Sequence, residues 1–300
     1  MRCLFIYNPV SGNSKKIIDN LDYITQVLLG KYKQVDVARS NARGHATTLA
    51  KKACGVYDAI VFAGGDGTFN EVVNGISHQP VKPILGYLPS GTVCDMARNL
   101  KIPTNLKKAL SIIIEGNEMK SDICKINDRY FVYVAGIGTY TDISFKPNQN
   151  MKRKIGKLAY FMEGIKKSFN TKTIGIKVES DGREYQGEAI LLLVANSKCV
   201  GGFTINKNSN LRDGKVDIII VKSSLLKTPI NIWRLLLGRS DYLRKRRWIE
   251  FIKTSKAKIT IDDNITWNLD GEESLKGSVE IEVLNDHLSF LVDRKKVKKV

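Results

Sequence analysis

The chain begins with a short apolar run, Arg2 to Tyr7, and then places Ile17, Ile18, Leu21, Ile24, Val27 and Leu28 at three- and four-residue steps. Such steps put the side chains on one face of a helix. The alternation continues. Val35 to Val37, Asp58 to Ala63 and Pro83 to Leu88 read as strands, Gly44 to Cys54 and Thr68 to Ile76 as helices, and Val93 to Leu100 as the start of another helix. Strands alternating with helices predict a parallel sheet covered by helices on both faces.

After about residue 118 the pattern changes. Asp122 to Ile126, Tyr130 to Ala135, Ile174 to Val178, Ala189 to Ala195, Val216 to Val221, Ile259 to Ile261, Ile265 to Leu269 and Val279 to Val283 all read as strands. Several are rich in β-branched residues and are separated by Asp-Gly or Asn-rich turns, which predicts an antiparallel sandwich. Two helical inserts interrupt it, Ile155 to Phe169 and Pro229 to Arg246. A boundary near 118 to 128 gives an α/β domain of residues 1–122 and a β-sandwich domain of residues 123–285. The tail from about 286 to 300 is basic and free to return to the first domain.

Composition narrows the class. The 300 residues are ample for a buried core, and 43% hydrophobic with 26% charged residues is globular. The net charge of +18 is unusual and favours polyanionic partners. No nucleic-acid recognition motif accompanies it, so nucleic acid is not expected as a partner. Cys3, Cys54, Cys94, Cys124 and Cys199 are scattered, without C-x-x-C spacing. That argues against a disulfide framework or a zinc site, and for a reducing compartment. The leading apolar run is too short for a signal peptide, and no stretch is apolar for long enough to span a bilayer. A cytoplasmic protein is expected.

Three loops carry the candidate chemistry. Gly64-Gly65-Asp66-Gly67-Thr68 joins the third strand to a helix. Its glycines permit close backbone approach to a ligand, and the free N–H groups at the helix start favour an anion. Asp66 can hold magnesium, and Thr68 can cap the helix or donate to phosphate. No lysine follows, so this is neither a Walker loop nor a protein-kinase glycine loop. Asn8-Pro9-Val10-Ser11-Gly12-Asn13 follows the first strand, and Leu88-Pro89-Ser90-Gly91-Thr92 the fourth. Ligands of open α/β sheets bind beyond the carboxyl ends of strands, where all three loops are expected.

In this order and spacing, NPVSGN, GGDGTFNEVVNG and PSGTVCDMARNL resemble the diacylglycerol kinase catalytic-domain family, to which sphingosine and ceramide kinases are related. The likeness resumes at Gly201-Gly202, at Leu211 to Lys215 and at Leu269 to Glu272. NAD kinases and phosphofructokinases share only the G-G-D-G-T core. The resemblance implies an NAD kinase-like or diacylglycerol kinase-like α/β domain plus a β-sandwich, with ATP and magnesium in the cleft between them. It implies nucleotide contacts from Asn8, Pro9, Val10, Ser11 and Gly12, from Gly64, Gly65, Asp66, Gly67, Thr68, Phe69 and Asn70, and from Ser40 and Thr92. Asp66, Asp95 and Asp122 resemble the acidic set that organises magnesium and its waters. One of Asp270 and Glu272 resembles the base for the acceptor hydroxyl. Asp213, with the backbone carbonyls of Asn210 and Lys215, resembles a structural magnesium site. Asp181-Gly182 has no such context and is expected to be a plain turn.

One departure stands out. The family commonly reads G-T-x-N-D-F-A, and here Cys94 replaces the asparagine and Met96 the aromatic residue. A thiol donates and accepts poorly. No mechanism calls for Cys94 as a nucleophile, nor for His45, His78 or His287 as catalytic groups. A lipid kinase must also meet a bilayer. Lys152, Arg153, Lys154 and Lys157 beside Leu158, Tyr160, Phe161 and Met162, and Arg244 to Arg247 after Ile232, Trp233, Leu235, Leu236 and Leu237, suit peripheral contact with an anionic membrane surface. The expected activity is transfer of the γ-phosphoryl group of ATP to the hydroxyl of diacylglycerol or a related lipid. The alternatives are an NAD-kinase-like enzyme with a soluble acceptor and a catalytically silent nucleotide- or lipid-binding protein. The oligomeric state stays open, a homodimer included.

Overall fold

The computed structural model describes residues 1–138, 173–222, 248–293 and 295. Both helical inserts expected from sequence, and both basic-aromatic clusters, lie outside the described residues. The chain divides into two compact units, Met1–Ile123 with Leu284–Val300, and Cys124–Val283.

The first unit runs β1 (Arg2–Tyr7), α1 (Ser14–Ile18), α2 (Leu21–Leu29), β2 (Gln34–Arg39), α3 (His45–Ala53), β3 (Ala59–Gly64), α4 (Asp66–Ser77), β4 (Ile84–Pro89), α5 (Asp95–Asn99), α6 (Leu106–Glu115) and the start of β5 (Asn117–Ile126). Its sheet has the order β2-β1-β3-β4, parallel throughout. The returning end of a late strand adds alongside β4, with Phe290 opposite Leu85. Helices α3 and α4 pack on each other and on β1 and β3, while α2 and α6 pack on each other and on β2 and β4. Central β3 is buried at every position, as a strand covered on both faces must be. The helical stripe at 17 to 28 is two helices, because the chain breaks at Asn20, whose amide group turns back to the Lys16 carbonyl oxygen at 2.9 Å. Such local side-chain bonds compete with a continuing helix.

The chain leaves β1 for β2 on one side and then crosses to β3 on the other. The reversal makes the gap beyond the carboxyl ends of β1 and β3 the topological switch point of this sheet.

The second unit takes the end of β5, then β6 (Arg129–Phe131), β7 (Val134–Gly138), β8 (Ile174–Ser180), β9 (Arg183–Ala195), β10 (Cys199–Val200), β11 (Phe203–Thr204), β12 (Val216–Lys222), β13 (Ile249–Thr254), β14 (Lys256–Thr260), β15 (Thr266–Leu269), β16 (Glu272–Lys276) and the start of β17 (Val279–Val292). Pairing is antiparallel throughout, with long β9 bonded to β7, β8 and β12. Its core gathers Trp267, Val194, Ile218, Ile259 and Val178, all essentially inaccessible. The Trp267 indole N–H is satisfied by the Gly277 carbonyl at 2.9 Å. Asp181-Gly182 is the β8–β9 turn, with Gly182 at φ 78°.

Candidate active site

In the first unit the three glycine-bearing loops converge. The Asn8 amide donates to Thr68 Oγ1 at 3.0 Å, and the hydroxyls of Ser11 and Ser90 meet at 2.8 Å. The Asn13 N–H donates to the Ser90 carbonyl at 2.7 Å, and the Ser90 N–H to the Gly64 carbonyl at 2.9 Å. Each loop is therefore bonded to the other two. The glycines make this possible. A Cβ on Gly91 would lie 2.5 Å from the Cα of Gly65, and one on Gly12 would lie 2.7 Å from Thr92 Oγ1. Beside them begins α4, whose first backbone bond is Phe69 N–H to Gly65 carbonyl, leaving the amides of residues 66 to 68 as the orphan donors of the helix start. Convergent amides, hydroxyls and a positive helix terminus, closed around Gly12 and Gly91 where a β-carbon has no room, fit a polyphosphate.

Ser40 is buried just beyond β2, its N–H on the Tyr7 carbonyl at 2.9 Å. Val10 and Thr92 are exposed. Phe69 differs from the sequence expectation in its side chain. It is fully buried, edge-on to Phe62 and Tyr87 and stacked on Phe290, so it anchors α4 in the core instead of lining the loops. Two contributors were not singled out from sequence. Ser90 is the hub of the three loops. Glu71 accepts from the N–H groups of Gly44 (2.9 Å) and Ala46 (3.1 Å), so a carboxylate on α4 caps α3.

Asp66 occupies the first turn of α4 and accepts from the Met96 N–H at 3.2 Å, tying that loop to the start of α5. Burial pushes its carboxyl above the ordinary 3.8, opposed by the amides of Met96, Asp95 and Cys94 and by the Arg98 charge. A raised value means the folded chain holds this proton more tightly than the unfolded chain. The associated stability is complete below 3.8 and is lost as pH rises through the raised value. In the nucleotide-free protein, Asp66→Asn is therefore expected to gain thermal stability relative to wild type as pH climbs above about 4, while losing turnover by about 100-fold or more. Melting curves across that range, beside a kinase assay, check both halves.

Asp95 is buried at the start of α5, and buried Asp122 accepts from the Asp286 N–H at 3.0 Å. Among the described residues no three His, Cys, Asp or Glu side chains lie close enough to hold a metal directly. Asp66 and Asp95, at the starts of α4 and α5, could instead contact a divalent ion through its waters.

Cys94 sits in left-handed backbone at φ 53° and is buried. Its sulfur accepts from the Gly91 N–H at 3.2 Å, so it fixes the third loop through a weak bond. Burial pushes the thiol above 9.0, which rules out a ready thiolate. Asparagine tolerates this backbone region and offers a stronger acceptor. Cys94→Asn is expected to raise stability by about 0.5–1 kcal/mol and to increase turnover. Calorimetry and a kinase assay check this; a less stable, less active variant would show that the loop has adapted to sulfur. Burial lowers the His287 imidazole below its ordinary 6.5 and favours the uncharged ring, with Nε2 donating to the Ser77 carbonyl at 2.9 Å, a structural role.

In the second unit Asp270 is 3% exposed, at φ 51° in the turn between β15 and β16. Its carboxylate accepts three successive backbone N–H groups, Val132 (2.7 Å), Tyr133 (3.0 Å) and Val134 (3.0 Å). The Tyr133 hydroxyl returns to the Asp270 carbonyl at 2.8 Å, and the Asn268 side chain accepts the Gly271 N–H at 2.8 Å. Sequence predicts one strand through Tyr130 to Ala135. It is two, because these amides turn to Asp270 instead of a neighbouring strand. Glu272 opens β16, its backbone opposite Leu269. At the remaining candidate site, Asn210 Oδ1 accepts the Arg212 N–H and Asp213 Oδ1 the Lys215 N–H, both at 3.1 Å. Lys253 Nζ lies 2.6 Å from the other Asp213 oxygen.

Comparison with known proteins agrees with this architecture. Residues 2–126 match the family model of the diacylglycerol kinase catalytic domain, and residues 136–292 that of the YegS C-terminal NAD kinase beta sandwich-like domain. A protein named diacylglycerol kinase from Bacillus subtilis (strain 168) is 33% identical over 100% of this chain and 99% of its own. One of the same name from Staphylococcus aureus (strain MRSA252) is 35% identical over 90% of this chain and 86% of its own. A solved structure described as a diacylglycerol kinase from Bacillus anthracis str. Sterne superposes with a TM-score of 0.79 at 26% identity, over 98% of both chains. The α/β fold and the antiparallel unit are those of a kinase, a phosphotransferase. The chain belongs to the diacylglycerol kinase family.

Proposed function

We propose that this kinase transfers the γ-phosphoryl group of ATP to the hydroxyl of diacylglycerol or a closely related membrane lipid, with magnesium as the metal. The observation that carries the reading is the mutual bonding of the three glycine loops at the switch point of the parallel sheet. Phosphoryl transfer asks the protein mainly for alignment and charge stabilisation, which oriented amides and hydroxyls supply. A bound magnesium ion would neutralise phosphate charge there, with Asp66, Asp95 and Asp122 holding it and its waters.

The acceptor hydroxyl must lose a proton. We assign this to the Asp270-Gly271-Glu272 turn. The oxygens of Asp270 already take three amides, so the proton goes to Glu272, and Asp270 sets the turn that presents it. A net charge of +18 suits docking at an anionic bilayer from outside, and among the described residues no helix is long and apolar enough to cross one.

The test is incubation with terminally labelled ATP and vesicles containing diacylglycerol, ceramide or a sphingoid base, in anionic and in neutral carriers, beside water-soluble acceptors including NAD. Label in diacylglycerol, faster on anionic vesicles, is expected. Label only in a soluble acceptor, or in none, would refute the reading.

A further inference from the structure

The family resemblance implies a structural magnesium ion at the Asp213 turn, held by that carboxylate and the backbone carbonyls of Asn210 and Lys215, but the one charged ligand of the set is already paired with a cation. Asp213 is the single carboxylate of the turn, and both its oxygens are engaged. Oδ1 accepts the Lys215 N–H at 3.1 Å, and Oδ2 meets Lys253 Nζ at 2.6 Å. Lys253 reaches the turn from β13, where it faces Asp217 of β12 in register, so the strand that follows the turn pairs with the strand that brings the cation. Asp217 is not available to add charge for a metal, since it is buried and accepts from the Asn206 amide at 2.7 Å.

We propose that the Lys253 ammonium takes the place of the structural divalent ion at the Asp213 turn. The cation answers the negative charge of the Asp213 carboxylate. An ammonium on a neighbouring strand supplies one charge and up to three N–H donors, enough for a site with one carboxylate. A divalent ion bound to the same oxygen would sit within a few ångströms of that ammonium and be repelled by it. The magnesium requirement of this chain then resides with the nucleotide alone, and its fold does not depend on the metal.

The experiment uses the full chain without nucleotide, dialysed against a chelator. Elemental analysis is expected to find no stoichiometric divalent metal, and the melting temperature should be the same with chelator as with millimolar magnesium. The pair is partly exposed, with side chains 40% and 25% accessible, so Lys253→Met should lower the melting temperature by only about 2–4 °C. Millimolar magnesium should then restore it, because the carboxylate is released to a metal. Lys253→Arg keeps the cation and should stay indifferent to magnesium. A wild type that retains one divalent ion through dialysis, or that melts lower with chelator, would overturn the proposal. So would a Lys253→Met protein that ignores magnesium. Should that variant fail to fold, the metal content and chelator response of the wild type decide alone.

Discussion

Replacing Asp270 by asparagine is expected to lower lipid phosphorylation by about 100-fold or more while leaving ATP affinity within a factor of about 2. The carboxylate accepts from three consecutive amides through two oxygens. An asparagine of the same shape has one oxygen, and its NH2 group would point a donor at an N–H donor. At least one buried amide loses its partner, at a cost of about 1–3 kcal/mol, and the turn carrying Gly271 and Glu272 moves. The three amides belong to the second unit, so the effect is expected on turnover and not on nucleotide binding. The pH profile separates anchoring from proton transfer. With Asp270 as an anchor, the residual activity keeps the acid limb of the wild type; loss of that limb would make Asp270 itself the base. Asp270→Glu should not restore activity, since the longer side chain cannot reproduce the three-amide geometry.

Gly91→Ala is expected to disable the proposed nucleotide site and destabilise the first unit together. The added carbon would lie 2.5 Å from the Cα of Gly65 and 3.1 Å from the Cys94 sulfur. The first contact is backbone, so no rotamer change relieves it. Forcing the loops apart costs about 1–3 kcal/mol by overpacking. It also strains the Ser11–Ser90 and Asn13–Ser90 bonds that hold the three loops in one geometry. A displacement near 1 Å at aligned phosphate donors lowers turnover by about 100-fold. The checks are a melting curve and ATP titration of the variant. By contrast Gly182→Ala, in a turn where an added Cβ meets nothing within 4 Å, carries only the strain of φ 78° and should leave turnover unchanged.

Much of the α/β half is legible in the sequence because its signals are local. β1, β3 and β4 show as apolar runs, each followed by a polar glycine loop, and β2 as the short alternation Val35-Asp36-Val37. What is not legible depends on partners far along the chain. The break between β6 and β7 at Val132 and Tyr133 is set by Asp270, more than a hundred residues away. Nothing near Glu71 announces that it caps α3, and nothing near Asp213 announces Lys253. Phe69 lies inside a motif whose neighbours read as ligand-facing, but helical periodicity turns it to the core, where Phe62, Tyr87 and Phe290 surround it. β13 and β16 escaped because they carry charged residues among the apolar ones, so period-two patterning is weak in both.

The most direct measurement is amide hydrogen exchange of the whole chain with and without magnesium ATP. One triphosphate gripped by three loops should slow exchange together at residues 8–13, 64–68 and 89–92. Unchanged exchange in those loops at saturating nucleotide, or protection of only one, would contradict a shared phosphate cradle.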